Sequence, residues 1–321
     1  MNYRTLGRTG LRVSEIGFGA WAIGGTSYGP TKDEESLAAL EAAWEHGVNF
    51  FDTADTYGHG HSETLIGKFL KGKREKAVIA TKAGWDFYHG GSRKNFDLDY
   101  LRFACDESLK RLQIDTVDLY QLHNPSLEQI ESGELFGLLD EFKAAGKIRF
   151  YGVSVHTPRE ALAVIQSGKA DTVQLIFNLI DQRAAAQVFP EAEVAQVGII
   201  AREPLACGLL TGKYSPESKF LKTDHRNRWV REKLVNDFKK IDTLKSKIPL
   251  KQISLVRAAL EFVLNFNAVS TVIPGSKTPA QVLDNLKASE EPVMRAQELS
   301  MLHTAINTTL FFKPASIGNK L

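Results

Sequence analysis

Residues 50–63 read FFDTADTYGHGHSE, a stretch in which two phenylalanines lead directly into the carboxylate of Asp52. A second aspartate, the phenol of Tyr57, two glycines and two histidines follow. Such a run is typical either of a strand that ends in a solvated turn or of a strand that ends at an active site. The pattern of the rest of the chain distinguishes these alternatives.

Short apolar runs like the one at 50–52 recur along the chain and alternate with amphipathic segments. Eight are candidate strands, at residues 16–20, 50–52, 77–81, 117–122, 148–153, 172–177, 198–201 and 269–273. Near-continuous apolar runs of this length are typical of parallel strands that are buried on both faces. The segments between them have the period of helices, and in residues 33–46 Leu37, Leu40 and Trp44 share one side.

Eight strand–helix alternations without a break in composition predict an α/β fold, a single (β/α)8 TIM barrel over residues 1–321. The turn glycines Gly7 and Gly10 predict an N-terminal hairpin at the bottom of the barrel, and residues from Glu291 onward predict additional C-terminal helix. A doubly wound sheet is the alternative fold. Its phosphate-binding loop is poorly matched by GFGAWAIGG at 17–25.

Two segments have no assigned role at this level. Segment 214–250 is the largest departure from the repeat, and the tail FFKPASIGNKL at 311–321 follows the last predicted helix. Either one is a candidate for covering a bound ligand or for mediating homo-oligomers.

The composition is that of a soluble enzyme and argues against several other classes of protein. The 321 residues are 43% apolar and 24% charged, with a net charge of +2, which gives no reason to expect nucleic acid or a membrane surface as a partner. No apolar run approaches the roughly 20 residues that cross a bilayer, and no signal peptide is apparent. With only Cys105 and Cys207, we expect a reduced, cytoplasmic protein without a disulfide framework.

Chemically active side chains in a barrel collect at the carboxyl ends of the strands. Asp52 ends the second predicted strand and Tyr57 lies in the loop after it, while Lys82 follows the third strand and His123 the fourth. These residue types suit the reduction of a carbonyl by hydride, because negative charge then develops on oxygen and a proton must arrive. We expect Lys82 to lower the pKa of Tyr57, and Asp52 to keep Lys82 charged. The imidazole of His123 would position the substrate oxygen.

Taken singly, each of these four residues has a plain structural explanation. Asp52 would cap a strand and Tyr57 would be a packing residue. Lys82 would extend its aliphatic chain along the surface, and His123 would be a turn residue. Their occurrence at matching positions of three successive strands favours the functional interpretation. His59 and His61 are a poor metal pair because no third ligand is evident, so we expect no metal centre. The loop that contains them leads into a helix that we expect Ser62 to cap.

These residues and the segments around them resemble those of the aldo-keto reductase family. The resemblance is carried by GVNFFDTADTYGHGHSETLIG (47–67), VIATKAG (78–84), DLYQLHNP (118–125), GKIRFYGVSVH (146–156) and STVIPGSKTPAQVLDNL (270–286). It covers the chain from about residue 3 to residue 286 and implies a (β/α)8 barrel that binds an extended nicotinamide cofactor without a Rossmann domain. It also implies that Tyr57 is the general acid, supported by Asp52, Lys82 and His123.

The resemblance further implies a set of cofactor-binding residues along the later strands. They are Ser154, Gln174, Arg202, Leu205, Gly208, Gly275, Ser276, Lys277, Gln281 and Asn285. Independently, Thr278, Pro279 and Gln281 predict a helix N-terminus with a capping box, which is a favourable place for a phosphate. Because the family holds the adenosine 2′-phosphate in this region, we expect NADP(H) in preference to NAD(H), with Lys277 as the main contact.

Three positions depart from the pattern of many family members. Val155 replaces an asparagine beside Ser154, Arg202 replaces a tyrosine that stacks on the nicotinamide, and Gln281 replaces an arginine found in some members. We therefore expect the guanidinium of Arg202 to cover the nicotinamide ring and to favour the reduced cofactor, because a cation beside an oxidised, positive ring is unfavourable.

The expected function is NADPH-dependent reduction of a small aldehyde or ketone, or oxidation of the corresponding alcohol. Trp21 and Trp85 follow the first and third strands and are either aromatic walls of the substrate site or packing residues. Two alternatives remain: a cofactor-binding regulatory subunit, as in the potassium-channel β-subunits of the family, and a barrel that uses Lys82 as a Schiff-base nucleophile. The second requires a neutral amine, which a paired Asp52 disfavours.

Overall fold

The apolar strands of the sequence form one closed parallel barrel. The computed structural model describes residues 1–307, and its barrel strands are β1 (Phe18–Gly19), β2 (Phe50–Asp52), β3 (Val78–Ala83), β4 (Val117–His123), β5 (Ile148–Ser154), β6 (Thr172–Ile176), β7 (Gly198–Arg202) and β8 (Val269–Val272). The strands pair in chain order and in parallel. Parallel bridges from Ile16 to Val272 and from Gly19 to Gly275 join the last strand to the first. The predicted (β/α)8 barrel is confirmed.

Helices surround the barrel and cover its strands. In chain order they are α1 (Asp33–Glu45), α2 (His61–Phe69), α3 (Leu98–Leu112), α4 (Leu127–Ser132), α5 (Glu134–Ala144), α6 (Pro158–Gln166), α7 (Val188–Val194), α8 (Arg231–Lys245), α9 (Leu255–Leu264), α10 (Pro279–Glu290) and α11 (Ala296–Asn307). Three of these helices, α4, α8 and α11, are additional to the eightfold repeat. The tail at 311–321 lies outside the described residues, and within residues 1–307 no helix is long and apolar enough to cross a membrane.

The predicted N-terminal hairpin closes the bottom of the barrel. Its strands, Tyr3–Thr5 and Arg12–Ser14, pair in antiparallel fashion, and Leu6 packs at 0% exposure into the apolar cluster inside the barrel. Gly7 is required at its turn, because it adopts a φ of 49° and a Cβ there would lie 2.2 Å from the backbone nitrogen of Gly198. A packed plug at this end leaves the carboxyl ends of the strands as the open face.

The loop after β2 is fixed differently from the sequence prediction. Helix α2 begins at His61 without a side-chain cap, so the cap predicted at Ser62 is wrong. The Ser62 hydroxyl instead donates to the backbone oxygen of Ala20 at 3.0 Å and accepts a hydrogen bond from Thr53 at 2.9 Å. Ser62 thereby ties the loop that contains Tyr57 to the chain immediately after β1.

Candidate active site

The carboxyl ends of β2, β3 and β4 bring the four predicted catalytic residues together. Lys82 Nζ donates to Asp52 Oδ1 at 2.5 Å and lies 3.5 Å from the hydroxyl oxygen of Tyr57. The rings of Tyr57 and His123 meet edge to face, with centroids 5.9 Å apart. Lys82 and Asp52 are 0% and 2% exposed, whereas Tyr57 is half-buried. A buried ion pair therefore lies directly behind a half-buried tyrosine.

The Asp52 carboxylate is held by amides as well as by Lys82. Gln174 Nε2 donates to Asp52 Oδ2 at 2.7 Å, and Gln121 Nε2 donates to the same oxygen at 3.2 Å. Lys82 also donates to the backbone oxygen of Thr53 at 2.7 Å. A buried ion pair is tolerated when further hydrogen bonds satisfy its remaining groups, as they do here.

The lysine remains charged in this environment. Burial lowers the pKa of Lys82, but the negative charge of Asp52 and the hydrogen bonds of the pair outweigh burial, so the net pKa is raised. A protonated lysine is not a Schiff-base nucleophile, and this geometry therefore disfavours the aldolase-like interpretation.

The pKa of Tyr57 differs from the expectation. Burial raises it, the charge of Lys82 lowers it and the charge of Asp52 raises it again, and the net pKa lies above the usual phenol value. The expected net lowering is wrong, because Asp52 balances much of the charge of Lys82 while desolvation still penalises the phenolate. Tyr57 is consequently a protonated donor at neutral pH.

The imidazole of His123 is neutral for the corresponding reason. Burial, followed by the positive charge of Lys82, holds the pKa of His123 well below its usual value. A neutral imidazole has one N–H to donate and one nitrogen to accept. Trp85 lies beside it, with ring centroids 6.5 Å apart, and Trp21 stacks on Tyr57 at 5.8 Å. Trp21 and Trp85, the two tryptophans expected near the substrate, therefore flank Tyr57 and His123.

The two histidines of the opening stretch have other contacts. His61 Nε2 lies 2.8 Å from Asp33 Oδ1, and the His59 ring stacks on Phe87 at 5.3 Å. In the part of the chain that the structure describes, no three His, Cys, Asp or Glu residues are grouped to hold a metal ion.

Ser154 is the last residue of β5, and Gln174, the third of the five residues of β6, lies opposite Ser154 in the register of the two strands. Gln174 Oε1 is buried and has no hydrogen-bond partner within residues 1–307. Ser154 Oγ donates to Asn124 Oδ1 at 3.3 Å. Asn124, which follows His123 and has a φ of 62°, brings an amide beside Ser154 and would be the amide contact that Val155 cannot make. Sequence reasoning missed Asn124 because its partner lies on the next strand.

Arg202 ends β7, and its charge is balanced. Arg202 Nη1 lies 2.5 Å from Glu203 Oε1, and Nη2 donates to the backbone oxygen of Val155 at 3.1 Å. Because Glu203 neutralises the guanidinium, electrostatics give Arg202 little power to disfavour an oxidised nicotinamide. That part of the sequence expectation loses its physical basis, whereas the position of Arg202 at the strand end agrees with it.

The start of α10 has the predicted cap but only half of the predicted capping box. Thr278 accepts from the backbone nitrogen of Gln281 at 3.3 Å, while Gln281 Oε1 accepts from the nitrogen of Lys277 at 2.8 Å instead of that of Thr278. Asn285 donates to Ser276 at 3.0 Å. Lys277 Nζ donates to the backbone oxygen of Tyr28 at 2.6 Å, so its ammonium already links α10 to the loop after β1.

Segment 214–250 reaches the same loop from the other side. Arg226 pairs with Asp224 at 2.7 Å and donates to the backbone oxygen of Cys207 at 3.0 Å. Its guanidinium carbon lies 5.2 Å from the ring of Tyr28. Of the two roles left open for this segment, its placement beside the site favours the covering role. No local pattern in the sequence indicated it, because the contact joins residues about 200 positions apart.

The turn after β7 holds the predicted cofactor residues Leu205 and Gly208 in an unusual backbone conformation. Glu203, Ala206 and Cys207 have φ values of 53°, 48° and 52°, which are uncommon for residues with side chains. The arrangement is anchored, since the backbone nitrogen of Gly208 donates to the oxygen of Leu205 at 2.9 Å. Strained turns of this kind are typical of ligand-binding sites.

These features fit a nicotinamide dinucleotide. A carboxamide N–H would satisfy the orphaned oxygen of Gln174, and the N-terminus of α10 is a favourable place for a phosphate. Ser154, Gln174, Arg202, Leu205 and Gly208 would hold the nicotinamide half. Gly275, Ser276, Lys277, Gln281 and Asn285 would hold the adenosine half.

A closed (β/α)8 barrel with this set of residues at its open face defines a class of oxidoreductase. The chain belongs to the aldo/keto reductase family, whose family model matches residues 15–307. It is 30% identical to the aldo-keto reductase YhdN of Bacillus subtilis (strain 168) over 319 residues, which are 97% of this chain and 95% of the relative.

Two further similarities extend this result. The chain is 33% identical over 288 residues to the aldo-keto reductase yakc of Schizosaccharomyces pombe (strain 972 / ATCC 24843), whose name includes NADP(+), covering 86% of this chain and 84% of the relative. The structure of the aldo-keto reductase AKR11C1 from Bacillus halodurans in its holo form superimposes with a TM-score of 0.81 at 30% identity, covering 95% and 96% of the two chains.

Proposed function

We propose that this protein is an NADPH-dependent oxidoreductase that reduces aldehydes or ketones to alcohols and also catalyses the reverse reaction. The observation that supports the proposal is the position of Lys82 Nζ, 2.5 Å from Asp52 Oδ1 and 3.5 Å from the Tyr57 hydroxyl. A phenol backed by a fixed, charged ammonium is suited to give up a proton to an adjacent oxygen.

The bound cofactor would supply a hydride to the carbonyl carbon. In the same step Tyr57 donates its proton to the carbonyl oxygen, on which negative charge develops. Lys82 stabilises the phenolate that remains, because its charge favours that form. His123, which is neutral, directs an N–H toward the substrate oxygen and holds it near the phenol.

The preference for NADPH rests on the start of α10. A helix N-terminus and the ammonium of Lys277 together form a favourable environment for the additional phosphate of NADPH. The relative from Schizosaccharomyces pombe that names NADP(+) is consistent with this preference. We also propose a cytoplasmic location, for which the free thiols of Cys105 and Cys207 are the support.

The test follows NADPH oxidation at 340 nm with an aromatic aldehyde. We expect Tyr57→Phe to lower kcat at least about a hundredfold, the usual contribution of a general acid, while NADPH still binds. Tyr120→Phe is the matched control, because the Tyr120 hydroxyl is buried in β4 and has no partner among residues 1–307. An unchanged kcat in Tyr57→Phe would remove Tyr57 from the proposed role.

The same assay separates the alternatives. A chain that binds NADPH but reduces no carbonyl in a broad panel would be a cofactor-binding regulatory subunit. Trapping of a substrate on Lys82 by borohydride would instead support the Schiff-base interpretation.

A further inference from the structure

An ammonium group without a carboxylate partner lies at the open face of the candidate active site. The short hairpin of Trp85–Asp86 and Arg93–Lys94 places Lys94 directly opposite Trp85. Lys94 Nζ donates to the backbone oxygen of Asn124 at 2.7 Å, one residue after His123. The same nitrogen lies 6.0 Å from the centroid of the Trp85 ring. Lys94 therefore contacts Asn124, which follows His123 in the chain, and Trp85, whose ring lies beside that of His123.

Unlike Lys277 at the start of α10, whose ammonium donates to a backbone oxygen, the other cations at the strand ends and in the hairpin each lie near an acid. Lys82 pairs with Asp52 at 2.5 Å, and Arg202 pairs with Glu203 at 2.5 Å. Arg93, next to Lys94 in the hairpin, lies 3.8 Å from Asp86. Lys94 is exposed, and among residues 1–307 it forms no ion pair with any Asp or Glu. The hairpin thus adds one uncompensated positive charge beside the substrate position.

The hydrogen bond to Asn124 makes this charge more than a flexible surface lysine. An ammonium has three donors, and the backbone oxygen of Asn124 uses one, so two N–H groups remain for another acceptor. Because the side chain is already anchored, less conformational freedom is lost when that acceptor binds. The positive field also reaches the catalytic imidazole, since the pKa of His123 is lowered by burial and then by cations that include Lys94.

We propose that Lys94 selects carbonyl substrates that carry a negatively charged group, a carboxylate or a phosphate. The carbonyl oxygen would lie at Tyr57 and His123, the body of the substrate along Trp85, and the anion at Lys94. This inference rests on the proposed reductase function and adds the substrate class.

The experiment compares three para-substituted benzaldehydes of similar shape: 4-carboxybenzaldehyde, 4-formylphenyl phosphate and the neutral 4-formylbenzamide. The readout is the ratio of kcat/KM for an anionic aldehyde to kcat/KM for the amide. For one partly exposed ion pair we expect a ratio of about five at low ionic strength. The two anionic substrates distinguish a carboxylate site from a phosphate site.

Substitution identifies the charge responsible. Lys94→Met should lower the ratio to about one, and Lys94→Arg should retain most of it. Arg93→Met, one residue away and also exposed, is the matched control and should leave the ratio as in the unmodified enzyme. High salt should reduce the ratio in the unmodified enzyme but not in Lys94→Met, because salt screens exposed charges.

Three results would overturn the proposal. One is an unmodified enzyme that prefers neither anionic aldehyde. Another is a Lys94→Met variant in which all three substrates lose activity equally, which would indicate a structural role for the hairpin. The third is an unmodified enzyme that reduces none of the three aldehydes. In that case the reductase function itself fails, and this outcome is recognisable because the neutral amide is also inert.

Discussion

Gln174 Nε2 donates a hydrogen bond to Asp52 Oδ2 at 2.7 Å, while Oε1 of the same side chain is buried without a partner in the described chain. The amide cannot be reversed, because a carboxylate only accepts hydrogen bonds and must face the nitrogen. One side chain therefore connects the buried ion pair of the site to the position expected for the nicotinamide carboxamide.

Gln174→Leu tests this connection. We expect the dissociation constant for NADPH to rise about tenfold, because one hydrogen bond to the cofactor is worth about 1.4 kcal/mol when lost. We also expect the free energy of unfolding to fall by about 1.5–3 kcal/mol, since Asp52 loses a charge-assisted hydrogen bond. Cofactor binding is measured by fluorescence quenching and stability by urea denaturation.

Gln121→Leu is the matched control, because Gln121 also donates to Asp52 Oδ2, at 3.2 Å, but has no predicted cofactor contact. It should lower stability and leave the NADPH dissociation constant nearly unchanged. Equal losses of affinity in the two variants would show that Gln174 acts only through Asp52.

The sequence predicted the barrel and singled out the four candidate catalytic residues because both leave a local pattern. Buried parallel strands are continuous apolar runs, and Asp52, Lys82 and His123 each stand where such a run ends. Gln121 was missed although it interrupts the apolar run of β4, and a polar residue facing the interior of a barrel is a recognisable signal. Its partner, Asp52, lies two strands away, however, and only the closed barrel brings them together.

The remaining contacts of the site depend on distant segments and have no signature in the sequence. Arg226 approaches Tyr28 at 5.2 Å, and Lys94 reaches the backbone of Asn124, each across a loop whose path no periodicity determines. The direction of the Tyr57 pKa shift could not be predicted either. It depends on how burial, Lys82 and Asp52 balance, and residue identities do not fix that balance.

Lys277→Met tests the preference for NADPH. If Lys277 contacts the 2′-phosphate, KM for NADPH should rise about tenfold or more while KM for NADH, which lacks that phosphate, changes little. Lys277 Nζ also donates to the backbone oxygen of Tyr28 at 2.6 Å. A lysine that only tethers this loop would therefore affect both cofactors equally, and this result would remove Lys277 from the phosphate role.

Lys287→Met on the same helix is the control for a change of net charge. Lys287 is exposed and lies 3.5 Å from Asp284. It is two positions after the predicted cofactor residue Asn285 and therefore on a different side of the helix. Neither KM should change by more than about twofold, because surface ion pairs contribute little.

The carboxyl of Asp55, the second aspartate of residues 50–63, should make the stability of the protein depend on pH. It is fully buried, and neither oxygen has a partner in residues 1–307. Burial, followed by the nearby charge of Glu63, raises the pKa of Asp55 well above its usual value. The native state then holds a proton that the unfolded chain loses above about pH 4. The free energy of unfolding therefore decreases as pH rises from that value toward the native pKa.

Asp55→Asn has the same shape and does not titrate. Relative to the unmodified protein, the variant should gain stability as pH rises above 4, by up to about 1.4 kcal/mol per pH unit until the native pKa is reached. Urea denaturation between pH 4.5 and 8 measures the difference. Asp99→Asn, at a side chain that is 94% exposed, should show no such trend. A difference for Asp55→Asn that is constant with pH would mean that Asp55 is ionised in the native state.

The pair of Glu63 and Arg111 should contribute most to the stability of the loop that carries Tyr57. Glu63, at 0% exposure, lies at the start of α2 and accepts from Arg111 Nε at 2.7 Å and from Thr81 at 2.5 Å. Arg111→Met leaves a buried carboxylate without its cation, which should cost about 3–5 kcal/mol in urea denaturation. Arg102→Met, in the same helix α3 as Arg111, should cost at most about 1 kcal/mol, since Arg102 pairs with exposed acids.

The double variant Glu63→Gln with Arg111→Met separates charge from packing. If the cost arises from an unpaired buried charge, removing that charge should restore a large part of the lost stability, because a neutral amide is far less costly to bury than a carboxylate. A double variant with restored stability should also recover kcat. The reason is that α2 begins four residues after Tyr57 and fixes the end of the loop that contains Tyr57. A double variant as unstable as Arg111→Met alone would instead assign the cost to lost packing of Arg111 against Tyr88, whose ring it contacts at 5.7 Å.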